Sequence, residues 1–287
     1  MKRIAILGPG LLGGSIALKL RALGGSHVTL WARRAAAVDE AIAAGCSDDA
    51  TTDLITAVKD ADLVVLCVPV GAMREIAGAF LPAIRPDAIV TDVGSVKGSV
   101  LAEVGALFRG CGRFVGSHPM AGSEFTGLKS ARADLFERST CIVTPDANTD
   151  PRALTVVENF WTRLGCRVVQ LAAGEHDECV ALVSHLPHLV ATTLINMIAE
   201  QNAHAFGVVG PGFRDSTRVA SGPPALWTEI LRENSAAVVA AIDALIAKLA
   251  DFRQTLARPG DGRNLHDTLT AAKTTRDRIS FPKTNNG

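Results

Sequence analysis

Apolar residues fall into two rhythms along this chain, and the change between them divides it. In the first part, short unbroken apolar runs alternate with stretches of helical period. Ile4 to Leu7 is followed by Ser15 to Leu23, and His27 to Trp31 by Ala35 to Ala44, which stops at Gly45. Leu63-Val64-Val65-Leu66-Cys67-Val68-Pro69 leads into Val70 to Leu81. Runs that are apolar at every position suit strands covered on both faces of a parallel sheet. The alternation continues through Ala88 to Asp92, a helix over Gly98 to Phe108, and Arg113 to Gly116. Thr140 to Pro145 and Cys166 to Gln170 then bracket a helix from Pro151 to Leu164. This order predicts an α/β fold whose N-terminal part is a Rossmann-type, doubly wound, mainly parallel sheet.

From about Gly174 the strand-like runs stop and helical stretches take over: Glu175 to Ala205, Trp227 to Ser235 and Ala236 to Thr255. The expected organisation is therefore a sheet domain over 1–172 and an all-α domain over 173–287, ending in a polar tail loosely ordered after Pro259. Ala236 to Leu249 is apolar well beyond one stripe, as in a helix buried in a bundle or against a second subunit. A homodimer through the C-terminal helices is expected.

The first strand runs into Gly8-Pro9-Gly10-Leu11-Leu12-Gly13, and a helix-forming stretch follows at once. In that strand–turn–helix setting a GxGxxG pattern predicts a dinucleotide site. Gly8 makes the tight turn, Gly10 lets the backbone approach a pyrophosphate, and Gly13 lets the helix pack on the strand. The opening N–H groups of the helix, beginning with Leu11 and Leu12, would hold the phosphates. Val68 and Pro69, ending a neighbouring strand, complete the expected cofactor contacts. NAD-binding units usually carry an acid at the end of the second strand. Here that strand ends Trp31-Ala32-Arg33-Arg34, with no carboxylate until Asp39. A guanidinium there can grip a 2′-phosphate, so Arg33 and Arg34 favour NADP over NAD.

Composition narrows the chemistry. Lys plus Arg and Asp plus Glu balance at 29 each, so no net field points to nucleic acid or an acidic membrane. The apolar runs are too short to cross a bilayer, and no secretory signal opens the chain, so a cytoplasmic protein is expected. The 6 cysteines are scattered, without CxxC pairs or zinc spacing, so neither a disulfide framework nor a metal is expected. Cys67 and Cys141 read as core thiols. The chain has no tyrosine at all, which removes one common general base and leaves histidine as the natural proton acceptor.

Four polar clusters fall at strand ends or in the helical part. They are Asp92-Val93-Gly94-Ser95-Val96-Lys97, Ser117-His118-Pro119-Met120-Ala121-Gly122-Ser123-Glu124, Ser184-His185-Leu186-Pro187-His188, and Phe213-Arg214-Asp215-Ser216-Thr217-Arg218 ahead of Trp227. A parallel sheet places its site at the carboxyl ends of its strands, in the crevice facing the second domain. Lys97 reads as a solvated lysine at a helix start. His185 and His188 share a helical face, and Pro187 between them would kink the helix into a pocket wall.

Taken in this order, the glycine loop, GSVK, GSHPMAGSE, SHLPH and FRDSTR resemble the prephenate dehydrogenase family, also called cyclohexadienyl or arogenate dehydrogenases. The resemblance spans roughly residues 1 to 255. It implies NAD(P)-dependent oxidative decarboxylation of prephenate to 4-hydroxyphenylpyruvate, in tyrosine biosynthesis, with arogenate as the alternative small-molecule substrate. It makes His118 the catalytic base and Ser95 the serine that bonds the 4-hydroxyl and orients the histidine. It assigns His188, with Ser117, to the substrate, and Arg218 to a substrate carboxylate, fixed by Asp215. Glu124 would be a gating acid and Trp227 a pocket wall, while His185 would be structural. The residues after the helical part are too few for the regulatory or mutase domain many members carry, so feedback through such a domain is not expected. Two rivals share the fold alone: β-hydroxyacid dehydrogenases, which usually use a lysine in the helical domain, and a non-catalytic NADP(H) sensor, which should have lost the SHP or SHLPH block.

Overall fold

The computed structural model describes residues 1–123, 125–258 and 262–279. They form two compact units, one ending at Asn234 and one starting at Ser235. The first unit opens with β1 (Arg3–Leu7), α1 (Leu11–Leu23), β2 (His27–Trp31), α2 (Ala35–Ala43), β3 (Asp49–Thr51) and α3 (Leu54–Val58). It continues through β4 (Leu63–Leu66), α4 (Val70–Phe80), β5 (Ile89–Asp92), α5 (Gly98–Glu103), β6 (Phe114–Pro119), β7 (Thr140–Thr144), α6 (Pro151–Arg163) and β8 (Arg167–Gln170). These strands make one sheet in the order β3-β2-β1-β4-β5-β6-β7-β8. Every neighbouring pair is parallel except β6 with β7. The chain therefore winds outward from β1 in one direction and from β4 in the other. The crevice between those two strands is the switch point where such sheets bind ligands.

The unbroken apolar runs follow from cores on both faces. Ile4, Ile6, Leu63 and Val65 pack with Ile16, Leu20, Phe160 and Trp161 of α1 and α6. The alternate residues Ala5, Leu7, Val64 and Leu66 pack with Met73, Ile76, Phe80 and Val100 of α4 and α5. Both side-chain sets of each strand are thus removed from water, which no alternating polar pattern would allow. The short β3 and α3 carry no such run and were not expected from the pattern. Asp53 starts α3 by accepting from the Ile55 and Thr56 N–H groups at 3.0 and 3.3 Å.

After β8 the first unit turns helical: α7 (Ala173–Val180), a π-helical turn over Ala181–His185, α8 (Leu186–Asn202), α9 (Pro211–Thr217) and α10 (Pro224–Glu233). Pro187 supplies no N–H to the helix ladder, and the wide turn directly before it absorbs the mismatch. The second unit comprises α11 (Ser235–Ala257) and α12 (Gly262–Arg278). A loosely ordered tail after Pro259 is corrected here for residues 262–278. Arg276 and Arg278 lie in the last turn of α12, where they complement its dipole, and Lys273 pairs with Asp277 one turn on. Pro259 itself lies outside the described residues.

Candidate active site

At the switch point the glycine loop is shaped by close approach. Gly8 has φ +113°, and a Cβ on it would collide with the Cys67 carbonyl and meet Val68 Cγ1 at 3.2 Å. A Cβ on Gly13 would strike the Gly8 carbonyl, so only glycine lets α1 start this close to β1. Gly10 differs: nothing lies within 4 Å of its missing Cβ, and it caps α1 with no side-chain bond to the helix N–H groups. Open space beside an uncapped helix start, at Leu11 and Leu12, fits a dinucleotide pyrophosphate. Val68 and Pro69 border the same loop. Cys67 touches it too, and burial pushes its thiol pKa up, so it stays a protonated core thiol as expected. Arg33 and Arg34 are exposed just past β2, where Arg34 caps α2.

One layer along the sheet, the carboxyl ends of β5 and β6 hold a buried polar cluster. Lys97 is not solvated as expected: its ammonium and the Asp92 carboxylate form an ion pair with both side chains 0% exposed. Asp92 also accepts from the Gly94 and Ser117 N–H groups at 2.7 and 3.0 Å. Glycines make the room, because a Cβ on Gly94 would come 2.9 Å from Asp92 Oδ2. Ser117 departs from its expected substrate role. Its hydroxyl donates to the Asp92 carbonyl at 2.5 Å, receives the Trp161 indole N–H at 2.9 Å and is 0% exposed. Alternation along β6 turns Ser117 to the opposite face from His118.

The antiparallel pairing of β6 carries His118 past the end of β5, opposite Ile142 of β7. Its Nδ1 lies 2.8 Å from Nε2 of His176 in α7, and His176 Nδ1 lies 2.8 Å from Asp177 Oδ1. Asp177 also caps α5, accepting from the Lys97 and Gly98 N–H groups at 2.8 Å each. Burial alone would raise the Asp177 pKa, but the bonds from His176, Lys97 and Gly98 outweigh it and hold the carboxylate ionised. Burial, followed by the charges of His176, Lys97 and His185, holds the His118 imidazole well below its ordinary pKa.

Farther along the same helical run, His185 Nδ1 takes a 3.2 Å bond from the Asn234 amide, which also donates to the Asp177 carbonyl at 2.8 Å. Burial pushes His185 down to about 4, so it is neutral and structural. His188 stacks on Trp227, centroids 3.6 Å apart and planes at 9°. Gly222 permits this, since a Cβ there would collide with the Trp227 indole. His188 is also held neutral by burial; Val219 backbone bonds its ring, and its Nδ1 has no partner among the described residues.

The fold thus gathers His118, Lys97, Asp92, His185 and His188 into one unit with the glycine loop. Ser95 is half-buried at the end of β5, yet no bond joins it to His118; His176 holds that histidine instead. Asp215 and Arg218 are both exposed. Glu124 lies outside the described residues. Sequence reasoning missed His176, Asp177 and Asn234 and misjudged Lys97. The His-Asp dipeptide upstream of SHLPH was the available signal, but it matches no spacing rule. Among the described residues no three His, Cys, Asp or Glu side chains form a metal-ligand group.

A Rossmann sheet with a glycine loop, and a buried histidine at its carboxyl edge, define an NAD(P)-dependent dehydrogenase. The family model for "Prephenate dehydrogenase, nucleotide-binding domain" matches residues 16–170, and that for "Prephenate dehydrogenase, dimerization domain" matches residues 172–271. The chain belongs to the prephenate dehydrogenase family. It is 38% identical over 261 residues to a cyclohexadienyl dehydrogenase of Zymomonas mobilis, covering 89% of each chain. It superposes with a TM-score of 0.91 on prephenate dehydrogenase of Aquifex aeolicus bound to hydroxyphenyl propionate and NAD+, at 32% identity over 98% of this chain and 99% of that one. A Synechocystis arogenate dehydrogenase matches at 0.84 and 29% identity, over 96% and 99%.

Proposed function

We propose that this chain is a prephenate dehydrogenase in which His118 is the base. The observation that carries this is a buried neutral imidazole at the carboxyl edge of the sheet that bears the dinucleotide loop. Bound nicotinamide supplies the hydride acceptor. His118 takes the 4-hydroxyl proton as hydride leaves ring C4, and the C1 carboxylate departs as carbon dioxide. Loss of carbon dioxide leaves the ring oxygen as a phenolate, which the imidazolium reprotonates to give 4-hydroxyphenylpyruvate. Aromatisation drives these steps, so orientation and one mobile proton are what the protein must provide. Ser95 is placed at the 4-hydroxyl, His188 and Trp227 along the substrate, and Arg218 at a carboxylate, where its fork can bind bidentately. The division of labour falls near residue 172, in a soluble cytoplasmic enzyme.

The test is reduced-cofactor formation by purified protein, with prephenate or arogenate against NADP or NAD. Turnover with prephenate is expected; turnover with arogenate alone would move the substrate assignment. We place the 2′-phosphate of NADP on Arg33, with Arg34 beside it. Charge-assisted bonds of this kind are worth about 1.5–3 kcal/mol, so Arg33→Asp should lower kcat/KM for NADP by about 10- to 100-fold and spare NAD. Equal losses with both cofactors would make Arg33 an ordinary surface residue.

A second copy of the chain is the proposed partner. The helical run Ala173–Val208 has a window of mean hydropathy 1.4 that is only 28% buried. Leu182, Val183, Val190, Met197 and Val208 are exposed on it. Its buried histidines and ionised Asp177 argue against a membrane span, and so large an apolar surface needs a cover. Sedimentation should find a dimer, and a concentration-independent monomer would refute it.

A further inference from the structure

The bond between two buried imidazoles poses a question of proton order. Each neutral imidazole carries one N–H, and a carboxylate can only accept. Asp177, ionised and already receiving two backbone N–H groups, claims the Nδ1 proton of His176 at 2.8 Å. Nε2 of His176 is then a bare acceptor, so the proton in the 2.8 Å bond between the rings must belong to His118 Nδ1. That leaves the lone pair of His118 on Nε2.

We propose that His176, backed by Asp177, is a positioning residue that locks His118 in the tautomer whose Nε2 can accept the substrate proton. The proposal rests on His118 being the base. When His118 gains its proton, the imidazolium donates through Nδ1 to His176, which donates in turn to the Asp177 carboxylate. One charge is thereby spread towards an anion without any group being left unpaired, and no net proton is lost from the cluster. The same carboxylate caps α5 through Lys97 and Gly98, and a Cβ on Gly98 would come 2.8 Å from Asp177 Oδ2. The carboxylate that anchors the relay is thereby fixed from the sheet side of the site.

The groups facing this pair are Asp92 and Lys97 at the end of β5, Cys141 of β7, Asp177 of α7 and His185 at the π-helical turn. Cys141 does not change charge in the range where imidazoles titrate, because burial pushes its thiol well up. The acid limb of kcat/KM therefore belongs to His118.

The test compares His176→Gln, His176→Leu and His118→Asn in the full-length enzyme. Glutamine keeps an acceptor oxygen within reach of His118 Nδ1, whereas leucine keeps only bulk. His176→Leu should lower kcat by about 10- to 100-fold with KM little changed, the usual cost of removing an orienting partner. His176→Gln should recover most of that loss. The pH profile of kcat/KM should change in His176→Leu and return towards the wild type in His176→Gln, which keeps the acceptor for His118 Nδ1. Heteronuclear NMR of histidine-labelled protein should find the His118 proton on Nδ1 in the wild type and spread over both nitrogens in His176→Leu. A folded His176→Leu with wild-type kcat and pH profile, or a His118 proton on Nε2 in the wild type, overturns the relay. If His118→Asn also keeps full turnover, the base assignment itself fails; if it alone is inactive, only the relay does.

Discussion

Replacing His118 by asparagine should leave cofactor binding intact and reduce turnover with prephenate by about 10²- to 10⁴-fold, the range that general-base catalysis supplies. Asparagine keeps a polar group near Nδ1, so the bond to His176 and the fold around it can persist while the Nε2 acceptor disappears. Cofactor fluorescence or calorimetry should report unchanged affinity, since the glycine loop lies at the β1–β4 crevice and His118 at the end of β6. The pH profile adds a signed check. Burial disfavours the charged form of His118, so its base form should persist below the ordinary imidazole range of about 6.5, and kcat/KM should fall only at lower pH. A profile falling at higher pH would mean that some group other than this buried ring carries the titration. Near-wild-type turnover in His118→Asn would remove the histidine from the mechanism.

The frame of the protein was legible because a sheet covered on both faces writes itself into sequence as unbroken apolar runs, and Leu63 to Leu66 is the clearest case. The glycine loop was equally plain, since Gly8 and Gly13 answer steric demands that the fold then displays. What stayed hidden depends on partners distant in sequence. Lys97 looks solvated until Asp92, Gly94 and Gly116 are folded around it, and nothing local announces that an ammonium will be fully buried. Ser117 sits beside the key histidine in sequence and on the opposite face of β6 in space. His176 meets His118 only because α7 returns to the sheet, 58 positions along the chain. Motif resemblance reached His118 more readily than His176, which bonds it.

Lys97→Met should destabilise the enzyme by about 3–5 kcal/mol, the cost of stripping one partner from a buried ion pair. Methionine fills much of the same space, so the loss reports on the Asp92 carboxylate left without its cation at 0% exposure. The N–H groups of Gly94 and Ser117 would still bond that carboxylate but cannot neutralise it. On a total stability of about 5–15 kcal/mol, such a loss should be evident in a urea midpoint. Adding Asp92→Asn should recover most of it, because a neutral amide needs no counter-charge there, and the resulting coupling energy isolates the pair from packing effects. The same variant reaches the chemistry. Lys97 helps to hold the His118 pKa down, so removing its charge should move the acid limb of kcat/KM to higher pH. A Lys97→Met enzyme within about 1 kcal/mol of wild type would mean that the buried pair adds little net stability, contrary to this expectation.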